Sequence, residues 1–145
     1  TGPDALIALN SDTLDEIWTI KFDERVKSEV RAILLWDRVL YFTSRELYAV
    51  NSQNGEIMWE SGTDEYLEQP IILGNTIFVR DTIKYLYAYD LTTWREVGKM
   101  TVPYNWSGLN GPFRGPATNG QHLFVPINQF SVAAYLSNKL MQLQP

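Results

Sequence analysis

The sequence predicts an all-β chain built from repeated antiparallel units. Three observations carry this: a six-residue pattern recurs at an even period, a second apolar pattern keeps step with it, and no stretch sustains a helical apolar stripe. The first pattern reads Leu6-Ile7-Ala8-Leu9-Asn10-Ser11, then Leu47-Tyr48-Ala49-Val50-Asn51-Ser52, then Leu86-Tyr87-Ala88-Tyr89-Asp90-Leu91. A weaker copy is Val132-Ala133-Ala134-Tyr135. The second pattern is Ala32 to Tyr41, Pro70 to Val79 and Pro116 to Val125, three runs that align without a gap.

Within each repeat two short apolar runs meet at Trp36-Asp37, Gly74-Asn75 or Gly120-Gln121, followed by an alternating run, a polar turn and a further run. β-branched and aromatic enrichment with Gly, Asn and Asp punctuation reads as strand and turn throughout. The expected strands are 31–35, 38–43, 46–51 and 56–60, then 69–73, 76–80, 85–90 and 95–102, then 114–118, 122–126, 131–136 and 139–143. Residues 5–10 and 15–22 match only the last two strands of such a unit. Four strands at a spacing of about 40 residues is the blade of a β-propeller. The expectation is a single partial or split propeller segment of three and a half blades: a half blade over 1–27 and blades over 28–65, 66–105 and 106–145. Open blade faces and edge strands need cover, so the missing strands are expected from another segment of a longer chain or from a partner.

Composition narrows the function classes. Hydrophobic residues at 45% and charged residues at 20% describe a chain that folds. With 12 Lys and Arg against 17 Asp and Glu, a net charge of -5 and no basic block, nucleic acid is not an expected partner. No apolar run reaches the roughly 20 residues of a spanning helix. Cysteine is absent and His122 is the one histidine, which leaves few routes to zinc chemistry or triad catalysis. Aromatics reach 13%, with the five tryptophans spread along the chain, a distribution that suits a repeated packing role.

The segment Ala49-Val50-Asn51-Ser52-Gln53-Asn54-Gly55-Glu56-Ile57-Met58-Trp59 resembles the Ala-x-Asp-x-x-Thr-Gly-x-x-x-Trp tryptophan-docking motif of the quinoprotein, or PQQ-like, β-propellers. The copy from Ala8 to Trp18 keeps Asn10 and Thr13 but has Leu14 at the Gly position. The next keeps Ala88, Asp90 and Thr93, with Trp94 at the Gly position and Gly98 at the Trp position. Asn10, Asn51 and Asp90 suit bonds to the backbone of the following turn, Gly55 suits a positive φ, and a small Ala admits a neighbouring ring. On this resemblance Ala8, Asn10, Trp18, Ala49, Asn51, Gly55, Trp59, Ala88 and Asp90 are docking residues. Trp18 and Trp59 are expected flat between blades, each burying roughly 150–250 Å².

The family includes non-catalytic members such as outer-membrane assembly lipoproteins and sensor domains, so the resemblance implies a protein- or ligand-binding scaffold without cofactor, located in the periplasm or at the cell surface. A fragment of a quinoprotein dehydrogenase, holding PQQ and Ca²⁺, is the alternative; the family's vicinal cysteines, acidic base and calcium ligands have no match here. A carbohydrate-binding propeller is the second alternative. The longest inter-strand connection, Pro103 to Gly115, offers Tyr104, Trp106, Asn110, Phe113 and Arg114 as a partner or sugar-stacking loop. Capping of the next blade is the plainer role for Trp106 and Phe113. Asp64, Glu65 and Glu68 lack the spacing of a calcium loop and read as a solvated acidic turn. His122 reads as a turn-flanking residue, and Lys27, Glu29 and Arg31 as charges near the first inner strand.

Overall fold

The computed structural model describes residues 5–22, 30–102, 115–128 and 131–136. These residues form four antiparallel sheets and no helix. The chain divides into two compact units, Thr1–Tyr66 and Leu67–Pro145.

The first unit holds a two-stranded sheet, β1 (Ala5–Leu9) and β2 (Glu16–Lys21), and a four-stranded sheet, β3 (Ala32–Trp36), β4 (Val39–Thr43), β5 (Leu47–Asn51) and β6 (Ile57–Glu60). Each strand pairs with its sequence neighbour, the order that short connections favour. Alternation splits β4 and β5 into two faces, and Phe42, Tyr48 and Val50 on one of them pack with Ile20 of β2, joined by Leu6, Trp18, Phe22, Val30, Leu40 and Ile57. Phe42 and Tyr48 are stacked with centroids 4.7 Å apart.

The second unit repeats the meander as β7 (Ile71–Leu73), β8 (Thr76–Arg80), β9 (Tyr85–Asp90) and β10 (Glu96–Thr101), then β11 (Ala117–Thr118), β12 (His122–Asn128) and β13 (Ser131–Leu136). Its core joins Phe78, Leu86, Ala88 and Val102 to Leu123 and Val125, with Ile71 and Leu73 packed against them. The backbones come close here: a Cβ added at Gly115 would lie 2.4 Å from the Gln69 carbonyl oxygen.

One expectation needs correction. The gapless alignment equated Trp36-Asp37 with Gly74-Asn75, but Trp36 pairs with Val39 inside the sheet and the turn is Asp37-Arg38. Asp37 takes the positive φ, 54°, that Gly74 takes at 61°, because Asp tolerates the left-handed region better than most side chains. The first repeat is therefore shifted by one residue. Tyr41, opposite Ala49, matches Phe78, opposite Ala88, and Phe124, opposite Ala134. A one-residue slip exchanges the faces of a strand, so Phe42 and not Tyr41 shares its face with Leu40.

Candidate functional site

The turns after Ala8, Ala49 and Ala88 share one construction. The Oδ1 of Asn10 accepts from the backbone N–H of Asp12 and Thr13, that of Asn51 from Gln53, and that of Asp90 from Thr92 and Thr93. The N–H of Leu14, Gly55 and Trp94 donates to the carbonyl of Asn10, Asn51 and Asp90 respectively. All three donors sit at positive φ, 62°, 75° and 54°. The Asx side chain and closing bonds hold this geometry even where glycine is missing. Leu14 is 70% exposed and so gains little from packing. Leu14→Gly should raise the unfolding free energy by about 0.5–1 kcal/mol, the left-handed strain removed less the entropy glycine adds to the unfolded chain; a urea titration with unchanged slope measures it.

Thr93 bonds, backbone first and then hydroxyl, hold the Asp90 carboxyl below its ordinary range against desolvation, with lesser help from Thr92 and Asn75. Asn75 Nδ2 donates to Asp90 Oδ2 at 2.9 Å.

In the first unit Trp18 lies on the turn of the neighbouring sheet. Its Nε1–H donates to the Ser52 carbonyl at 2.9 Å, and a Cβ on Gly55 would fall 2.9 Å from Cδ2 and Cε3 of the ring. Gly55 thus serves twice, as a left-handed residue and as the flat seat of the indole. The alanine stands across from the tryptophan of its own hairpin, Ala8 opposite Trp18 and Ala49 opposite Trp59, while Ala88 stands opposite Gly98.

Tyr104, Trp106, Asn110, Phe113 and Arg114 lie outside the described residues, as do Lys27 and Glu29. His122 is half-buried at the start of β12, its N–H donating to Asn119 Oδ1.

At one end of the β3–β6 sheet the fold gathers a cluster with no sequence motif. Arg31 precedes β3, Arg45 and Glu46 form the β4–β5 turn, and Tyr66 follows β6. The guanidinium carbons of Arg31 and Arg45 lie 5.4 and 5.2 Å from the centroid of the Tyr66 ring, which is 38% exposed. Arg45 also lies 3.7 Å from Asp64. Glu46 Oε2 accepts from the Gly62 N–H at 2.8 Å, the Thr63 hydroxyl donates to the Arg45 carbonyl, and Ser61 Oγ accepts from the Leu47 N–H. These bonds fasten the β4–β5 turn, which carries Arg45, to the segment after β6 that leads to Tyr66.

The same end of the β7–β10 sheet is organised by Asp81, 1% exposed. Its Oδ1 accepts from the N–H of Ile83, Lys84 and Tyr85, and its Oδ2 from the Tyr87 hydroxyl at 3.3 Å. Arg80, also buried, donates to the Pro126 carbonyl. Lys99 and Lys84 place their ammonium groups 4.1 and 4.7 Å from the Tyr85 ring centroid. The side-chain bond to Tyr85 and then attraction to that group raise the Lys84 pKa. Asp81→Ala should cost about 2–4 kcal/mol, since three backbone donors lose a charged acceptor; thermal unfolding measures it, and Asp81→Asn should lose less.

Glu68 corrects the reading of a solvated acidic turn: it is 8% exposed, and its N–H donates to the Arg80 carbonyl. Asp64 is engaged by Arg45. Among the described residues no group of three His, Cys, Asp or Glu is placed to hold a metal ion, and the carboxylates of Asp81 and Asp90 are turned onto their own loops.

No family model and no curated protein matches the sequence. Solved structures do match. The computationally designed Ika8 protein is similar with a TM-score of 0.68 at 9% identity, over 90% of this chain and 39% of that one. BamB from Moraxella catarrhalis is similar with a TM-score of 0.63 at 13% identity, over 84% of this chain and 37% of that one. The fold is a partial β-propeller. The computationally designed Ika4 protein gives a TM-score of 0.55 at 7% identity, over 84% of this chain and 98% of that one. The propeller segment thus spans well under half the length of Ika8 and BamB. No helix of the described residues is long and apolar enough to cross a membrane.

Proposed function

We propose that this propeller segment is a non-catalytic scaffold of the PQQ-like kind that binds a polypeptide through its loop ends, outside the cytoplasm. The observation that carries the reading is the exposed Tyr66 ring with the guanidiniums of Arg31 and Arg45 both close to it, Arg45 and Tyr66 standing on loops that the Glu46, Ser61 and Thr63 bonds fasten. Tyr and Arg on a pre-ordered surface are the residue types that dominate protein interfaces, because they bury much area at little entropic cost. A carboxylate-bearing peptide suits the pair of guanidiniums. The likeness to BamB supports the propeller frame, and the docking-motif resemblance supports the PQQ-like assignment and the extracytoplasmic location.

The test is an array of acidic and aromatic peptides probed with the purified chain and with Arg31→Ala and Arg45→Ala variants, alongside a glycan array and titration with PQQ and Ca²⁺. The reading expects peptide binding that either variant weakens. Cofactor absorbance with dye-linked alcohol oxidation, or glycan binding in place of peptide binding, would overturn it.

A further inference from the structure

At one end of the β7–β10 sheet the register brings two lysines to one aromatic ring. Lys99 on β10 stands directly opposite Tyr87 on β9, so it shares a face with Tyr87 and, two positions along, with Tyr85. Its ammonium lies 4.1 Å from the Tyr85 centroid and 4.8 Å from that of Tyr87. Lys84, the last residue of the β8–β9 turn, sets its ammonium 4.7 Å from the same Tyr85 centroid. Both lysines are exposed and Tyr85 is half-buried.

One buried carboxylate holds both halves of this cluster. Asp81 Oδ1 accepts from the N–H of Ile83, Lys84 and Tyr85, which sets the turn that carries Lys84. Its Oδ2 accepts from the Tyr87 hydroxyl, which sets the ring beside Lys99. Asp81 attracts Lys84 but forms no ion pair with it, and among the described residues no carboxylate lies within ion-pair distance of either ammonium. Two like charges therefore meet at one ring on a chain of net charge -5, with no paired anion to relieve their repulsion. The Lys84 ammonium bonds to the Tyr85 side chain, so the phenol oxygen accepts there and its own proton is left to donate to a third group.

We infer that Lys84, Lys99 and the Tyr85 hydroxyl form an anion site for a phosphoryl group, taken as the free ion or as the end of a phosphomonoester. The three donor groups match in number the three terminal oxygens of such a group, whereas a carboxylate offers only two oxygens. Lysine acts here as a compact point charge, without the planar fork by which arginine selects a carboxylate. Because Asp81 orders the turn and the Tyr87 ring in advance, binding loses little conformational entropy. No residue of the Tyr66 cluster takes part, so this inference and the polypeptide-binding reading fail independently.

The test is titration of the whole chain with inorganic phosphate and with glycerol phosphate at constant ionic strength, followed by NMR of the backbone amides and by calorimetry. Acetate and chloride serve as controls. The expected result is saturable shifts at Ile83, Lys84, Tyr85 and Lys99 with phosphate or the ester. Lys84→Gln and Lys99→Gln should each weaken binding at least about tenfold, and Tyr85→Phe about threefold to tenfold. Phosphate should also raise the unfolding temperature of the parent chain but not that of the double variant Lys84→Gln with Lys99→Gln, which keeps the fold because both sites are exposed. Saturation by phosphate alone assigns the free ion as the ligand, and binding of the ester at least as tightly assigns a phosphomonoester. No saturable shift with either, an equal response to acetate or chloride, or binding that neither lysine variant weakens overturns the inference.

Discussion

Gly55→Ala should lower the unfolding free energy of the first unit by about 2–4 kcal/mol, from left-handed strain on a Cβ residue together with overpacking. The strain alone does not account for this value, since Leu14 and Trp94 hold the same turn with side chains. The larger share comes from the indole of Trp18, whose ring atoms lie 2.9 Å from where the methyl would stand. Moving the ring also lengthens the bond from Nε1 to the Ser52 carbonyl. A double-mutant cycle with Trp18→Ala separates the two parts. Once the ring is gone, Gly55→Ala should cost only the strain, about 1–2 kcal/mol.

Phe42→Ala should cost about 3–5 kcal/mol, the range for emptying the place of a buried aromatic side chain. Phe42 is 0% exposed and stacks on Tyr48 within the core that joins the half blade to the four-stranded sheet. Leu35→Ala, on the same sheet face but 59% exposed, should change stability by no more than about 0.5 kcal/mol. The contrast between two large apolar residues on one face measures where the half blade stops covering it, and chemical denaturation of both variants reads it directly.

Most of the fold was legible because a propeller repeats its local chemistry. The alanine, the Asx two positions later and the alternation around them mark β1, β5 and β9 at sight, and the β7–β8 turn is written as Gly74-Asn75. The β3–β4 turn was misplaced by one residue because Ala32 to Trp36 has no polar alternation to fix its register, and Asp37 takes a conformation usually signalled by glycine. The docking turn was readable as a motif, but the seat of the ring on Gly55 was not, since it depends on how two sheets stack. The Arg31, Arg45 and Tyr66 cluster had no signal at all: its members are far apart in sequence and meet only because the loops at one end of a sheet converge. Glu68 looked solvated because its neighbours Asp64 and Glu65 are acidic, yet the approach of its backbone to Arg80 buries it.

The central claim is that this chain is a propeller segment whose half blade docks on the following blade through the indole of Trp18. Nuclear Overhauser contacts and hydrogen exchange at the Trp18 indole N–H test it most directly. The account predicts strong contacts from the ring to the Gly55 α-protons and slow exchange of the N–H bonded to Ser52. An indole that exchanges as fast as a free one and shows no contact to Gly55 would contradict it.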